Sequence, residues 1–372
     1  MTGEAPILIV SASAGTGHVR AGDALAEAMQ REGVRAEHVD VLRLAPRWVK
    51  HAYGGGFELL ASRAPRLWRE VYALADGPDG DSARWGPVAA RALFGGFRRL
   101  LHAERWRLCL CTHFLPSQLM AGRSGAPPFG LVVTDFALHR YWVQPRVREY
   151  FTATRAVAAA VRARLPAARA LASGIPIDPA FLHPPAWQDA RAALGLAADR
   201  PVALVMGGGL GMGLDETVEA ALAAPVDGLQ IVAVCGWNDD LRRRLESRSH
   251  SEDRLCVLGF RRDIPTLFAA ADVIVTKPGG LTTSEALALG RPMILTRPIP
   301  GHEDANVEHL TRTGAALAAP NGHALVEMLA RFFADPALRF RLAEAARGVG
   351  APDAAREIAR AVRDHYALRA VA

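Results

Sequence analysis

Side chains able to do chemistry concentrate between Val273 and Asn306, which reads VIVTKPGGLTTSEALALGRPMILTRPIPGHEDAN. Val273–Thr276 is a short β-branched run suited to a strand buried on both faces. Pro278-Gly279-Gly280 breaks it. Thr282-Thr283-Ser284 then offers capping hydroxyls ahead of Ala286–Leu289, and Gly290 closes the pattern as a helix C-cap does. Strand, glycine turn and helix start make an anion site, because free backbone N–H groups and the positive dipole end face whatever lies over the glycines. Glu285 has two readings: it complements the dipole from the first helical turn, or it accepts hydrogen bonds from a ribose diol beside a diphosphate. A second polar turn, Pro300-Gly301-His302-Glu303-Asp304-Ala305-Asn306, follows the apolar run Pro292–Leu295. The two switches together point to a nucleotide-sugar site.

These residues need elements to hold them, and the chain supplies the same pattern three times. Ile7–Val10 reads as a buried strand, followed by Ser11-Ala12-Ser13-Ala14-Gly15-Thr16-Gly17-His18 and a helix over about 19–31. The loop lacks GxGxxG and the Walker Lys-Ser/Thr, so Gly15 and Gly17 alone say little. His18 says more. Near a helix N-terminus an imidazole is biased to its neutral form, which a general base requires; packing or capping is the other reading. Val39–Leu42, Leu108–Cys111 and Leu131–Val133 are further strand candidates, the last leading into Asp135, His139 and Trp142. Polar groups just beyond a buried strand point into the crevice where α/β sheets bind ligands. Ser173-Gly174-Ile175-Pro176-Ile177-Asp178-Pro179 with His183-Pro184-Pro185 reads as a linker. Beyond it the pattern restarts: Val202–Met206, a glycine loop over Gly207–Gly213, and a helix over about 215–223. Ile231–Cys235 and Leu255–Leu258 lead into Gly236-Trp237-Asn238 and Gly259-Phe260, and helices over about 322–347 and 353–368 finish the chain. Asn238-Asp239-Asp240 is faintly like an Asp-x-Asp metal motif and reads better as a cap for the helix that carries Leu241 and Leu245.

The expected fold is α/β, with two Rossmann-like domains: residues 1–172, residues 173–350, and a terminal helix over 351–372 packing back on the first. The length of 372 residues fits two cores rather than one. Net charge is +6, nearly all of it arginine, since Lys50 and Lys277 are the only lysines. Basic excess fits a phosphorylated substrate or anionic lipid. No aromatic-interleaved nucleic-acid motif occurs, so nucleic acid is not expected as a partner. Cys109, Cys111, Cys235 and Cys256 show no zinc or CxxC spacing and read as reduced core residues of a cytoplasmic protein. The N-terminus does not read as a signal peptide, and no uncharged run approaches the roughly 18 residues of a membrane span. The segment 46–106 crowds Trp48, Tyr53, Phe57, Trp68, Tyr72, Trp85, Phe94, Phe97 and Trp106 among arginines. Those residues fit a helical core with snorkelling arginines, or a surface meeting an apolar acceptor or anionic membrane.

GTGH near the start, VTDF with a downstream His and Trp, GIPID, MGGGLGMG, LGF, TKPGGLTTSEAL and PGHEDAN stand in one order. Together they resemble the monogalactosyldiacylglycerol synthase and processive diacylglycerol glucosyltransferase group, related to the peptidoglycan N-acetylglucosaminyltransferase, over roughly residues 7–320. The resemblance implies a GT-B fold, whose two domains face a central cleft, and inverting, metal-independent hexose transfer from a UDP-sugar to a diacylglycerol-type lipid at the membrane periphery, with no cofactor. It implies that Gly259 and Phe260 lie against uracil, that Glu285 holds the ribose, and that Gly280, Leu281 and Thr282 offer amides to the diphosphate. Gly208, Gly209 and Gly211 line the site near the leaving group; His302, Glu303 and Asn306 approach the donor sugar. His302 departs from the group, which has glutamine there, and imidazole and amide offer different donors and acceptors. His18, with Gly17, matches the loop near the acceptor hydroxyl, and Asp135, His139 and Trp142 match the acceptor-side cluster; the base is His18 or a water polarised by Asp135. A transferase with a soluble acceptor, a UDP-sugar epimerase or hydrolase, and a non-catalytic UDP-sugar sensor are the competing readings.

Overall fold

The structure is a computed structural model that describes residues 5–50, 93–120, 125–249, 252–299 and 303–366. The chain divides into two compact units, Met1–Pro179 with Asp353–Ala372, and Ala180–Pro352. The division falls a few residues beyond the expected position 173, because Ile175 and Ile177 are buried in place rather than forming a solvated linker.

The first unit is a six-stranded parallel sheet: β1(Ile7–Ser11), β2(Ala36–Asp40), β3(Leu108–Cys111), β4(Phe129–Val132), β5(Glu149–Thr152) and β6(Arg169–Ala172), in the order β2-β1-β3-β4-β5-β6. Helices α1(Thr16–Arg31), α2(Gly95–Ala103), α3(Phe114–Met120) and α4(Arg155–Arg164) accompany it. Side chains alternate across the strands. Leu8, Val10, Cys109 and Cys111 enter one core with Leu131, Trp142 and Tyr150, while Ile7, Ile9, Leu108 and Leu110 enter the other with Leu25 and Met29 of α1. Burial pushes the Cys109 thiol up to about 12 and raises Cys111 well above a thiol's ordinary value, so both remain protonated packing groups. β2 ends earlier than its apolar pattern indicates. Asp40 accepts the Leu42 N–H (3.1 Å) and the Ser13 N–H (3.0 Å), turning Val41–Leu44 into a short 3-10 helix.

The second unit repeats the plan with β7(Val202–Met206), β8(Gln230–Val234), β9(Leu255–Leu258), β10(Val273–Thr276), β11(Met293–Thr296) and β12(Ala316–Ala319), ordered β12-β11-β10-β7-β8-β9 and parallel throughout. Its helices are α5(Trp187–Ala193), α6(Leu214–Leu222), α7(Asp239–Ser249), α8(Ile264–Ala270), α9(Gly280–Ala288), α10(Asp304–Arg312), α11(Gly322–Ala334) and α12(Pro336–Val349). The helix expected over 322–347 is two, because Asp335 ends α11 and its side chain caps α12 at the Leu338 N–H (2.9 Å) ahead of Pro336. The last helix, α13(Ala354–His365), belongs to the first unit: Ile358, Ala359 and Val362 join the core behind α1, and Arg360 and Arg363 pair with Glu32. In each sheet the first strand has neighbours on both sides, β1 between β2 and β3 and β7 between β8 and β10. The loops leaving the first strand and its later neighbour therefore diverge and leave a crevice at the carboxyl ends of the strands.

Candidate active site

In the first unit that crevice holds His18. α1 begins at Thr16, three residues earlier than its apolar pattern indicates, so His18 is its third residue and Gly17, half-buried, its second. The His18 Nδ1 lies 2.9 Å from the carbonyl oxygen of Thr112, just beyond β3. A carbonyl only accepts, so Nδ1 carries a proton, and in the neutral tautomer that this contact selects the lone pair lies on Nε2. Thr134 Oγ1, beyond β4, stands 3.1 Å from the same Nδ1, and the Thr112 hydroxyl donates to the His18 carbonyl at 2.8 Å. The ends of β3 and β4 thus hold the ring and its Nδ1–H.

Asp135 is buried, and its Oδ2 accepts the Trp142 indole N–H at 3.1 Å. Trp142 is buried with its ring centroid 6.4 Å from that of His18. His139 caps the turn Arg140–Trp142 through Nδ1, which accepts the Tyr141 N–H at 3.4 Å. Asp135 therefore orients Trp142, which forms the wall beside His18.

His113 had no place in the sequence reading. Its buried ring meets His18 edge to face, with centroids 4.5 Å apart, and its Nδ1 accepts the Leu115 N–H at 3.0 Å. Phe114 packs on His113 and stacks on Tyr141 at 5.0 Å, completing an aromatic wall. The signal was present: Thr112-His113 follow the LCLC strand directly, as Thr134-Asp135 follow β4. Of the crowded aromatics upstream, Phe94, Phe97 and Trp106 are core residues and Trp48 is exposed. Tyr53, Phe57, Trp68, Tyr72 and Trp85 lie outside the described residues.

In the second unit the loop after β7 meets the turn after β10. Gly208 has φ +74°, which favours glycine, and a Cβ there would crowd Lys277 Cε at 3.0 Å where the lysine lies across the loop. Gly209 gives its carbonyl to the Trp237 N–H (2.9 Å), and the Gly211 N–H closes the loop on the Gly208 carbonyl (3.1 Å). α9 starts at Gly280 with Gly279 as its cap residue and no side-chain cap, leaving the amides of Gly280, Leu281 and Thr282 as the open donors of its first turn. This early start corrects two expectations. Thr283 lies inside the helix, where its hydroxyl bonds back to the Gly279 carbonyl at 2.9 Å instead of capping, and Glu285 falls in the second turn, 0% exposed. A carboxylate so placed is no surface complement to the dipole. Gly290, at φ +61°, does end the helix.

Glu303 and Asn306 tie this turn to the start of α10. Glu303 is buried, accepts the Ile299 N–H (2.9 Å) through Oε2 and holds Oε1 3.6 Å from Lys277 Nζ. Asn306, also buried, donates to the Pro278 carbonyl at 3.0 Å. His302 lies outside the described residues. Phe260 follows Gly259 beyond β9 and stacks face to face on Trp237 beyond β8, centroids 3.8 Å apart and planes 15° from parallel. Both rings stay open to solvent, Trp237 60% and Phe260 41% exposed. Gly208, Lys277, the start of α9, Glu303 and Asn306 thus form one group over β7, β10 and β11, with the aromatic pair further along the same sheet edge. The four-residue stretch Asn238–Leu241 behaves as a cap, the Asn238 side chain accepting the Leu241 N–H at 3.0 Å. Among the described residues no group of three or more His, Cys, Asp or Glu side chains is arranged to hold a metal, and no helix is long and apolar enough to cross a membrane.

Two family models divide the chain between them. Residues 18–177 match monogalactosyldiacylglycerol (MGDG) synthase, and residues 189–349 match glycosyl transferases group 1. The chain is a glycosyltransferase of the GT-B fold. A processive diacylglycerol beta-glucosyltransferase of Bacillus cytotoxicus is 28% identical to this transferase over 367 residues, 95% of this chain and 92% of the relative. MurG of Acinetobacter baumannii superposes with a TM-score of 0.61 at 17% identity, covering 97% of this chain and 99% of that one. A UDP-GlcNAc 2-epimerase of Neisseria meningitidis gives 0.65 at 12% identity over 96% and 100%. At such identities the two structures speak for the fold of the transferase alone. The resemblance read from the seven motifs is therefore upheld by both halves of the chain.

Proposed function

We propose that the transferase moves a hexose from a UDP-sugar to the hydroxyl of a diacylglycerol-type lipid, with inversion at the anomeric carbon and without a metal ion. The observation that carries this reading is the His18 geometry: a ring whose Nδ1–H is committed to a backbone carbonyl presents Nε2 as a general base. The acceptor O–H gives its proton to Nε2, the oxygen attacks the anomeric carbon, and the bond to the diphosphate oxygen breaks on the opposite side. UDP departs with negative charge that the open α9 amides and Lys277 offset in place of a metal. Glu285 takes the ribose hydroxyls, and the Phe260–Trp237 pair takes the base face.

The full-length likeness to proteins named for diacylglycerol supports the lipid acceptor. So does an aromatic wall beside the base, since rings suit an acceptor with little polar surface to read. Exposed Trp48 between exposed Arg47 and Lys50, with exposed Arg98 and Arg99 on α2, supports peripheral contact with an anionic membrane. Product mass spectrometry tests the whole reading: diacylglycerol vesicles are supplied with UDP-glucose, UDP-galactose or UDP-GlcNAc. A hexosyl-diacylglycerol from one donor is the expected result. UDP release without glycolipid, or glycoside formed only on a soluble acceptor, refutes it.

A further inference from the structure

The glycine loop of the second unit is crossed by a second cation. Among the described residues Arg297 is the one non-glycine with positive φ, +48°, a conformation strained for a side chain with Cβ. It follows β11, which pairs with β10, and β10 in turn pairs with β7. From there its side chain spans β10 to the far end of the glycine loop. A Cβ on Gly213, itself at φ +63°, would sit 2.5 Å from Arg297 Nε. The loop is therefore bracketed: Lys277 lies against Gly208 at one end and Arg297 against Gly213 at the other.

The two cations differ in what holds them. Lys277 is 22% exposed and faces the buried Glu303 carboxylate, with Nζ 3.6 Å from Oε1. Arg297, 44% exposed, pairs with Glu216 in the first turn of α6, whose own side chain is 70% exposed. A solvated pair is weak and exchanges readily. Its guanidinium moreover stands at the positive end of α6, a poor place for a cation unless an anion joins it. The arginine fork also matches two oxygens of a phosphoryl group, which an ammonium does not.

We infer that Arg297 is a diphosphate-binding residue, held in readiness by Glu216 and passing from that carboxylate to the donor's diphosphate when the nucleotide binds. The inference rests on the UDP-sugar reading above and adds to it a cation at the glycine loop whose ion pair is solvated. Calorimetry with UDP and with uridine tests it in the full chain. Arg297→Gln binds UDP about 10- to 100-fold more weakly, the loss expected for a hydrogen-bonded charge, and binds uridine as the wild type does. Arg297→Lys falls between, keeping charge without the fork, and serves as the folded comparison should the glutamine variant melt early. Glu216→Gln keeps the arginine, removes its competitor and binds UDP at least as tightly as the wild type. Unchanged UDP affinity in both Arg297 variants, or weaker binding in Glu216→Gln, overturns the exchange while leaving the nucleotide site intact. A wild-type protein that binds neither UDP nor uridine brings down the donor reading itself, and this inference with it.

Discussion

Replacing His18 separates what the imidazole does for the fold from what it does for the reaction. Its Nδ1–H bonds to the Thr112 carbonyl at 2.9 Å, and Thr112 is fully buried. His18→Ala leaves that carbonyl without its donor, at about 1–3 kcal/mol of stability. For a unit of this size that is a melting temperature lower by about 2–12 °C. His18→Asn places an amide N–H near the same point and removes Nε2, so its stability stays close to wild type. Both lose the base, and turnover falls about 10²- to 10⁴-fold, or about 3–5 kcal/mol on the barrier. UDP binding, made by residues of the other unit, is unaltered in both. The assays are thermal denaturation, UDP calorimetry and glycolipid formation on vesicles. A His18→Asn protein that transfers at near wild-type rate refutes the tautomer argument, because nothing then depends on Nε2. A His18→Asn protein that melts as early as His18→Ala shows the Thr112 contact to be misassigned.

Glu285→Gln keeps the buried volume but weakens acceptance from the ribose diol. UDP affinity falls about tenfold, and the wild-type preference for UDP over 2′-deoxy-UDP disappears; a preference that survives excludes the ribose role. UDP quenches fluorescence from Trp237, the exposed partner of Phe260. Trp237→Ala loses about 5- to 150-fold in UDP affinity, Trp237→Phe loses the quench and little affinity, and an undiminished quench in either variant removes Trp237 from the base site. Burial first, then nearby Arg312, hold the His309 imidazole below its ordinary 6.5. The unfolded chain thus takes up a proton before the folded one, so this stability is complete above about pH 6.5 and declines as pH falls through the folded value. Melting curves from about pH 7.5 to about pH 5.5 show the wild type losing ground to His309→Gln on acidification, and a constant difference between them contradicts the shift.

Where a strand is a continuous apolar run closed by a glycine or proline turn, as at Val202–Met206 and Val273–Thr276, the pattern carries its own boundaries. β6 and β12 escaped for a physical reason. Arg169–Ala172 alternates exposed and half-buried, and Ala316–Ala319 is mostly alanine, so neither offers the apolar density that marks a strand before its sheet exists. Helix starts escaped too, since α1 and α9 begin on Gly15-Thr16 and Gly279-Gly280 without a capping side chain to announce them. That displacement of a few residues is what turned Glu285 from a surface carboxylate into a buried one.

By itself the amino-acid order determined two α/β units, the glycine loops at their strand ends, and the candidate site groups His18, Asp135, Lys277 and Glu285, because strand periodicity and loop chemistry are local properties. Which atoms meet was decided only in three dimensions. His113 comes to His18 across 95 positions of chain, Trp237 to Phe260 between neighbouring strands, Glu303 to Lys277, and Arg297 to Gly213 across β10. Parallel sheets bring together loops far apart in sequence, in an order set by how strands pair, and strand pairing is the sum of many weak contacts that no single stretch encodes.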